Sequence, residues 1–293
     1  MQKLPNQNTP VLYQGITSSL GAVHTEMALV YGTNIVAGVA REKGLKTYLN
    51  VPVFQTVKEA VRKTKPEISV IFSTPARALS DVSEAIKAKI PLIICTTEHV
   101  PLHDALQMKQ LAAKSDVQLL GPSSPGIVTV GKCLAGAMPA HLFEKGTIGI
   151  VTRSSSMAYE AARQLSQHGL GISACIALGT APITGTDFIP AVKALLSDAR
   201  TKAILMIGDY AGLSEVEFAK WYQSQKRQKP LAAYIGGKAY GKSKKTPLLG
   251  CENKLPAKSV SEKQEALKGV GAHLILSPEM LGSAMAELLT KEV

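Results

Sequence analysis

The chain reads as an α/β protein built from two doubly wound halves. Three observations carry this reading. Short apolar, β-branched runs alternate with amphipathic helical stretches over residues 9–120, the alternation breaks in a Gly- and Pro-rich stretch at 121–146, and it then resumes towards the end of the chain. Alternation of this kind implies parallel sheets with helices on both faces. A length of 293 residues is enough for two cores of ordinary size.

In the first half, strands are expected at 9–13, 34–39, 68–72, 91–95 and 118–120, separated by helices at 24–31, 57–63, 78–88 and 101–115. The stretch 121–146 (GPSSPGIVTVGKCLAGAMPAHLFEKG) has no long helical pattern and reads as the crossing between domains. Strand and helix then alternate through 147–152, 158–168, 172–178, 188–197, 202–207, 215–225 and 231–235. After a long irregular stretch, a helix at 261–268, a strand at 273–276 and a helix at 278–289 close the pattern. The expected division is a first domain at 1–125, a linker at 126–145 and a second domain at 146–293. In doubly wound sheets, ligands bind outside the carboxyl ends of the strands, where the strand order reverses.

Composition excludes several classes. Hydrophobic residues make up 45% and charged residues 19%, which argues against global disorder. No apolar run reaches the roughly 18–20 residues that span a bilayer, so no membrane association is expected. The opening MQKLPNQNTP has no apolar targeting region. The net charge of +11 favours anionic ligands, nucleic acid or a polyphosphate cofactor among them. Only 5% of residues are aromatic, which leaves few stacking platforms for single strands. No nucleic-acid motif is present, so that class ranks last. The cysteines Cys95, Cys133, Cys175 and Cys251 form no C-x-x-C pair and no zinc spacing. Scattered cysteines without metal spacing fit a reducing, cytoplasmic setting and no metal.

The first expected strand runs into Gly15-Ile16-Thr17-Ser18-Ser19-Leu20-Gly21, with a helix after it. A strand, a Gly-rich turn and a helix N-terminus present free N–H groups and a positive dipole end to a phosphate. The spacing departs from the G-x-G-x-x-G dinucleotide fingerprint. No acidic ribose reader follows the second strand; Arg41 and Lys43 stand there instead. Cations at that place disfavour NAD and suit a ligand with an extra phosphate. A tight turn with no ligand is the competing reading.

The stretch GITSSLGAVHTE, residues 15–26, resembles the opening CoA-binding loop of succinyl-CoA synthetase α subunits, G-F-T-G-K-Q-G-x-x-H-x-E. The likeness continues in order through Tyr31-Gly32-Thr33, the segment VPVFQTV from Val51, Thr97-Glu98 and Gly121-Pro122. It carries on through Pro125-Gly126, Arg153-Ser154, Tyr159-Glu160-Ala161, the segment GTDFI from Gly185 and Met206-Ile207-Gly208. The resemblance implies an N-terminal Rossmann-like CoA-binding domain and a C-terminal flavodoxin-like ligase-type domain. It also implies coenzyme A or an acyl-CoA as ligand, and a β-type ATP-grasp subunit as partner in a heterodimer or heterotetramer. A homo-oligomer is the other assembly considered. In this family a histidine of the α subunit carries a phosphoryl group between the nucleotide site and the site of acid and CoA, splitting one difficult transfer into two.

Carried over by position, the resemblance assigns the CoA site to Gly15, Thr17, Ser18, Ser19, Leu20, Gly21, Lys43, Thr96, Thr97 and Glu98. Ser18 replaces a family Gly, Ser19-Leu20 replace Lys-Gln, and Ser123 replaces an Asn. Ser154, Ser155 and Ser156 stand at the family's phosphate-binding helix N-terminus. The histidine motif K-R-M-G-H-A-G-A departs most. The chain reads KKTPLLGC from Lys244, so Leu248 occupies the histidine's position, and Asp209 stands where a family Glu orients that histidine. The expectation is a CoA-binding, non-canonical or regulatory α-type subunit without phosphohistidine transfer. The alternative is an active nucleoside diphosphate-forming acid–CoA ligase subunit with another relay, for which Cys251 and His273 are candidates.

Overall fold

A computed structural model describes residues 3–42, 44–226, 228–237 and 258–290. Its first sheet runs β3(Thr47–Tyr48), β4(Val51–Phe54), β2(Ile35–Val39), β1(Val11–Gln14), β5(Ile68–Ile71), β6(Leu92–Cys95) and β7(Gln118–Leu120) across its width. All pairs are parallel except β3 with β4. Helices α1(Ser19–Val30), α2(Val57–Thr64), α3(Pro75–Lys87) and α4(Leu102–Lys114) make the crossovers. Strand order reverses between β1 and β5.

The second sheet is ordered β14(His273–Ile275), β13(Leu231–Ile235), β12(Ala203–Gly208), β10(Lys145–Thr152), β11(Ile172–Ala177), β8(Gly126–Thr129) and β9(Cys133–Gly136). Here the order reverses between β10 and β12. Its helices are α5(Ser155–Gln167), α6(Phe188–Ser197), α7(Ser214–Gln223), α8(Lys258–Gly269) and α9(Leu281–Thr290). The expected two-domain α/β class is the one found. No described helix is long and apolar enough to cross a membrane.

Three differences from the expected elements have physical causes. The first helix begins at Ser19 rather than 24, because the Ser18 side chain caps it and accepts from Gly21 N at 3.1 Å. Strand β3 went unread because it has only two residues, and β4 because Pro52 stands inside it, which argues against a strand. Residues 126–145, expected as a linker, contain the antiparallel β8–β9 hairpin on the edge of the second sheet.

That hairpin also clasps the first domain. Thr33 Oγ1 donates to Leu134 O at 3.0 Å and accepts from Leu134 N at 2.9 Å, while Gly131 N donates to the Tyr31 hydroxyl at 2.9 Å. Fully buried Tyr13 reaches across from β1 to Leu134 O. One apolar cluster, running from Val11 and Tyr13 through Leu134 and Ala135 to Ile150 and Leu205, therefore joins the domains. A second cluster, with Leu12, Ala37, Val82 and Ile93, covers the other face of the first sheet.

Candidate functional site: a cleft at the two sheet reversals

The carboxyl ends of β1 and β5 open into a cleft of about 960 Å³ that extends to the start of α5 in the second domain. Its first wall is the β1–α1 turn. Gly15 has φ +73°, and a Cβ there would lie 2.1 Å from Phe72 O; a Cβ on Gly21 would lie 2.0 Å from Gly15 O. The turn thus folds tightly against β5 only with glycine at both places. Ser18 needs no such freedom. Its φ of −65° and ψ of 157° are ordinary extended backbone, so the change from the family's Gly keeps the turn unstrained. Ser18, Ser19 and Leu20 line the cleft.

Three helix N-termini converge on this space. The first turn of α1 brings Ser19 and Leu20, that of α3 brings Pro75 preceded by Thr74, and that of α5 brings Ser155 and Ser156 preceded by Ser154. Thr74 makes no side-chain cap bond, and Ser154 accepts from Met157 N at 3.4 Å. The dipole ends and free N–H groups favour anions. Thr96, Thr97, Glu98 and His99 enter from the loop after β6, and Ser123 and Thr180 close the far side. Among the described lining residues none is Lys or Arg. Hydroxyls and helix ends supply the polar surface.

His24 stacks on Phe72 at 5.4 Å and 12° in the cleft wall, with its Nδ1 buried and unpartnered. Burial pushes its pKa below the ordinary 6.5, so the ring is neutral at pH 7. The unfolded chain takes up this proton first as pH falls. The stability His24 contributes is complete above pH 6.5 and is lost as pH drops through the lowered folded pKa. An NMR titration is expected to give His24 a midpoint below 6.5. A midpoint at or above that value would contradict the buried, neutral ring.

Asp209 is not among the residues that line the cleft. Its Oδ2 accepts from Arg153 Nε at 3.0 Å and its Oδ1 from Ala211 N at 2.9 Å, so both carboxylate oxygens at the position of the family's orienting Glu are engaged. Arg153 also donates to Thr184 Oγ1 and Ala181 O. Beneath the same turn lies a fully buried pair. Lys263 Nζ meets Glu215 Oε2 at 2.7 Å and donates to Asp209 O and Ala211 O, each at 2.8 Å.

The structure brings Ser18, Ser19, Leu20, Thr96, Thr97, Glu98, Ser154, Ser155 and Ser156 to one cleft; Lys43, Leu248 and Cys251 lie outside the described residues. Sequence reasoning missed Ser73, Thr74 and Pro75. The signal was present, since Thr followed by Pro after an apolar run marks a helix start.

The CoA binding domain family model matches residues 6–99, and the CoA-ligase model matches residues 151–269. The succinate–CoA ligase [ADP-forming] subunit alpha of Staphylococcus aureus (strain Mu50 / ATCC 700699) is 36% identical over 282 residues, covering 96% of this chain and 93% of its own. The chain belongs to the succinate–CoA ligase α-subunit family. The corresponding subunit of Staphylococcus epidermidis is 35% identical over 286 residues, covering 98% of this chain and 94% of its own. Among solved structures, ATP citrate lyase from Methanothrix soehngenii, in complex with citrate and coenzyme A, superposes with a TM-score of 0.82 at 22% identity. That match covers 99% of this α-type chain and 51% of the lyase, and it shows the shared fold. The matched domains correspond to the two sheets, and the cleft lies where they meet.

Proposed function

We infer that this α-type chain binds CoA or an acyl-CoA in the inter-domain cleft, pairs with a β-type ATP-grasp subunit, and does not itself carry the phosphoryl group. It then acts as a non-canonical or regulatory subunit. The observation that carries the reading is the convergence of the α1, α3 and α5 N-termini on one hydroxyl-lined cleft at the sheet reversals. A diphosphate suits the β1–α1 turn, with Gly15, Thr17 and Gly21 as its backbone, and the family resemblance carries Lys43 over as its cation. The pantetheine arm then has Pro125, Ala137 and Tyr159 to pack on as it runs towards α5. Thr96, Thr97 and Glu98 flank that path, and Ser154, Ser155 and Ser156 offer an anion site at its end. Pairing with a β-type chain is supported by relatives whose names designate them alpha subunits. Free, buried Cys95, Cys133 and Cys175 accord with a cytoplasmic setting.

Calorimetry with CoA, against NAD as control, tests the ligand. CoA should bind, more weakly as salt is added, because its phosphates are screened. Equal or tighter NAD binding would overturn the assignment. Recovery of this chain from its native source bound to an ATP-grasp polypeptide would support the partner; a lone homo-oligomer would count against it.

A further inference from the structure

The cleft offers no cation from its described lining residues, yet two arginines lie on elements that border it, one just after β2 and one in the first turn of α3. Gly15 N donates to Val39 O at 2.9 Å, which lays the end of β2 against the start of the cleft turn. Arg41 follows two residues later. From the other side, Arg77 lies in the first turn of α3, whose Thr74 and Pro75 line the cleft. Both side chains turn to one carboxylate oxygen. Arg77 Nη2 sits 2.9 Å from Asp81 Oδ1, and Arg41 Nη2 sits 3.7 Å from it.

Asp81 is held in place. Its side chain is 10% exposed, and Gln14 Nε2 donates to its carbonyl at 3.3 Å. The arginines are more open, at 68% for Arg41 and 36% for Arg77. One carboxylate cannot neutralise two guanidiniums, so the group keeps a net positive charge. Each guanidinium has five N–H donors and spends few of them here. The place in the fold is also informative. In dinucleotide-binding sheets, the residue after the second strand reads the ribose, an acid for a free hydroxyl and an arginine for a phosphate.

We propose that Arg41 and Arg77, spaced and steadied by Asp81, form a phosphomonoester subsite that reads the 3′-phosphate of the ligand's ribose. This rests on the CoA reading of the cleft and deepens it. Arg77 is the fixed fork, since its pairing with Asp81 is short and within one helix turn. Arg41 is the mobile one, whose long contact is readily exchanged for a phosphate oxygen. A dianionic phosphomonoester presents the oxygens that two guanidinium forks recognise. Asp81 is a positioning residue and touches no ligand.

The test is calorimetry with CoA and with dephospho-CoA, which carries a 3′-hydroxyl instead. The parent should prefer CoA by roughly 10- to 100-fold, the range for a hydrogen bond to a charged group. Arg41→Ala and Arg77→Ala should each remove most of that preference while leaving the affinity for dephospho-CoA unchanged. Because Arg77→Ala strips a short partner from Asp81, the Arg77→Ala/Asp81→Ala double variant removes the pair together and should behave the same way. Arg163→Ala deletes an equal charge from an exposed pair on α5 and should leave the preference intact. A parent that binds both ligands equally overturns the subsite alone, as do arginine variants that keep the preference or lose both ligands in parallel. A parent that binds neither ligand overturns the CoA reading itself.

Discussion

No acid-labile, alkali-stable label should form on this chain when it is incubated with γ-labelled ATP or GTP and a β-type partner. A phosphoramidate needs a nucleophilic ring nitrogen that is partly neutral near pH 7, which histidine supplies with a pKa near 6.5. The family position for that ring is Leu248, which has no lone pair to offer. The six histidines are His24, His99, His103, His141, His168 and His273, and none falls in the motif segment. Restoring Leu248→His alone should not restore the label. Both oxygens of Asp209, which stands for the orienting carboxylate, are already engaged by Arg153 and by Ala211 N. A new imidazole would have to displace a charge-assisted bond of 3.0 Å to be oriented. Acid and alkaline washes of the labelled chain decide the point. Acid-labile, alkali-stable label on the parent would overturn the reading and favour an active ligase with another relay.

Lys263→Met should be among the most destabilising single changes in the second domain. Lys263 and Glu215 are both fully buried, and the ammonium has three acceptors: Glu215 Oε2, Asp209 O and Ala211 O. Removing one partner of such a pair strands the other, at about 3–5 kcal/mol. Burial already pushes Glu215 above its ordinary pKa of 4.5, against the pull of Lys263. Without the lysine that upward push is unopposed, so folded Glu215 stays protonated where the unfolded chain is ionised. The stability this protonated form supplies is present below 4.5 and is lost as pH rises through the raised folded pKa. Lys263→Met should therefore lose more stability at pH 8 than at pH 5 when both are measured by denaturant titration. Lys263→Met/Glu215→Leu should recover much of the loss, because an apolar pair of similar volume replaces a costly charge pair. A single variant as stable as the parent would show that the pair does not brace the 209–211 turn.

The sequence by itself determined the class of the fold and the identity of one site wall. Alternating apolar runs need no tertiary information, since parallel strands buried on both faces read as continuous β-branched stretches, of which Ile68–Ile71 and Leu92–Cys95 are examples. The β1–α1 turn was legible because Gly15 and Gly21 answer a local steric demand. The colinear motifs from Gly15 to Gly208 carried the family, and the cleft gathers Ser18, Ser19, His24, Thr97, Glu98 and Ser154 from them.

Tertiary structure decided what depends on pairing between distant segments. The stretch 126–136 looks like a linker because Gly126, Gly131 and Gly136 break up its apolar runs; its β8–β9 hairpin exists through pairing with β11 and contacts with Thr33 and Tyr31. In sequence Asp209 stands only at the position of an orienting carboxylate, and the approach of β10 to β12 is what places Arg153 against it. Lys263 and Glu215 are ordinary helical charges on a linear reading, and their meeting in the core requires α7 packed on α8. The same holds for Arg41. Its charge is visible after β2, but the shared carboxylate that sets it beside Arg77 comes from α3, which reaches it only because β1 and β5 are neighbours at the sheet reversal. Local sterics and periodicity act over a few residues and are written along the chain, whereas charge pairs and edge pairing are set by which strands lie side by side.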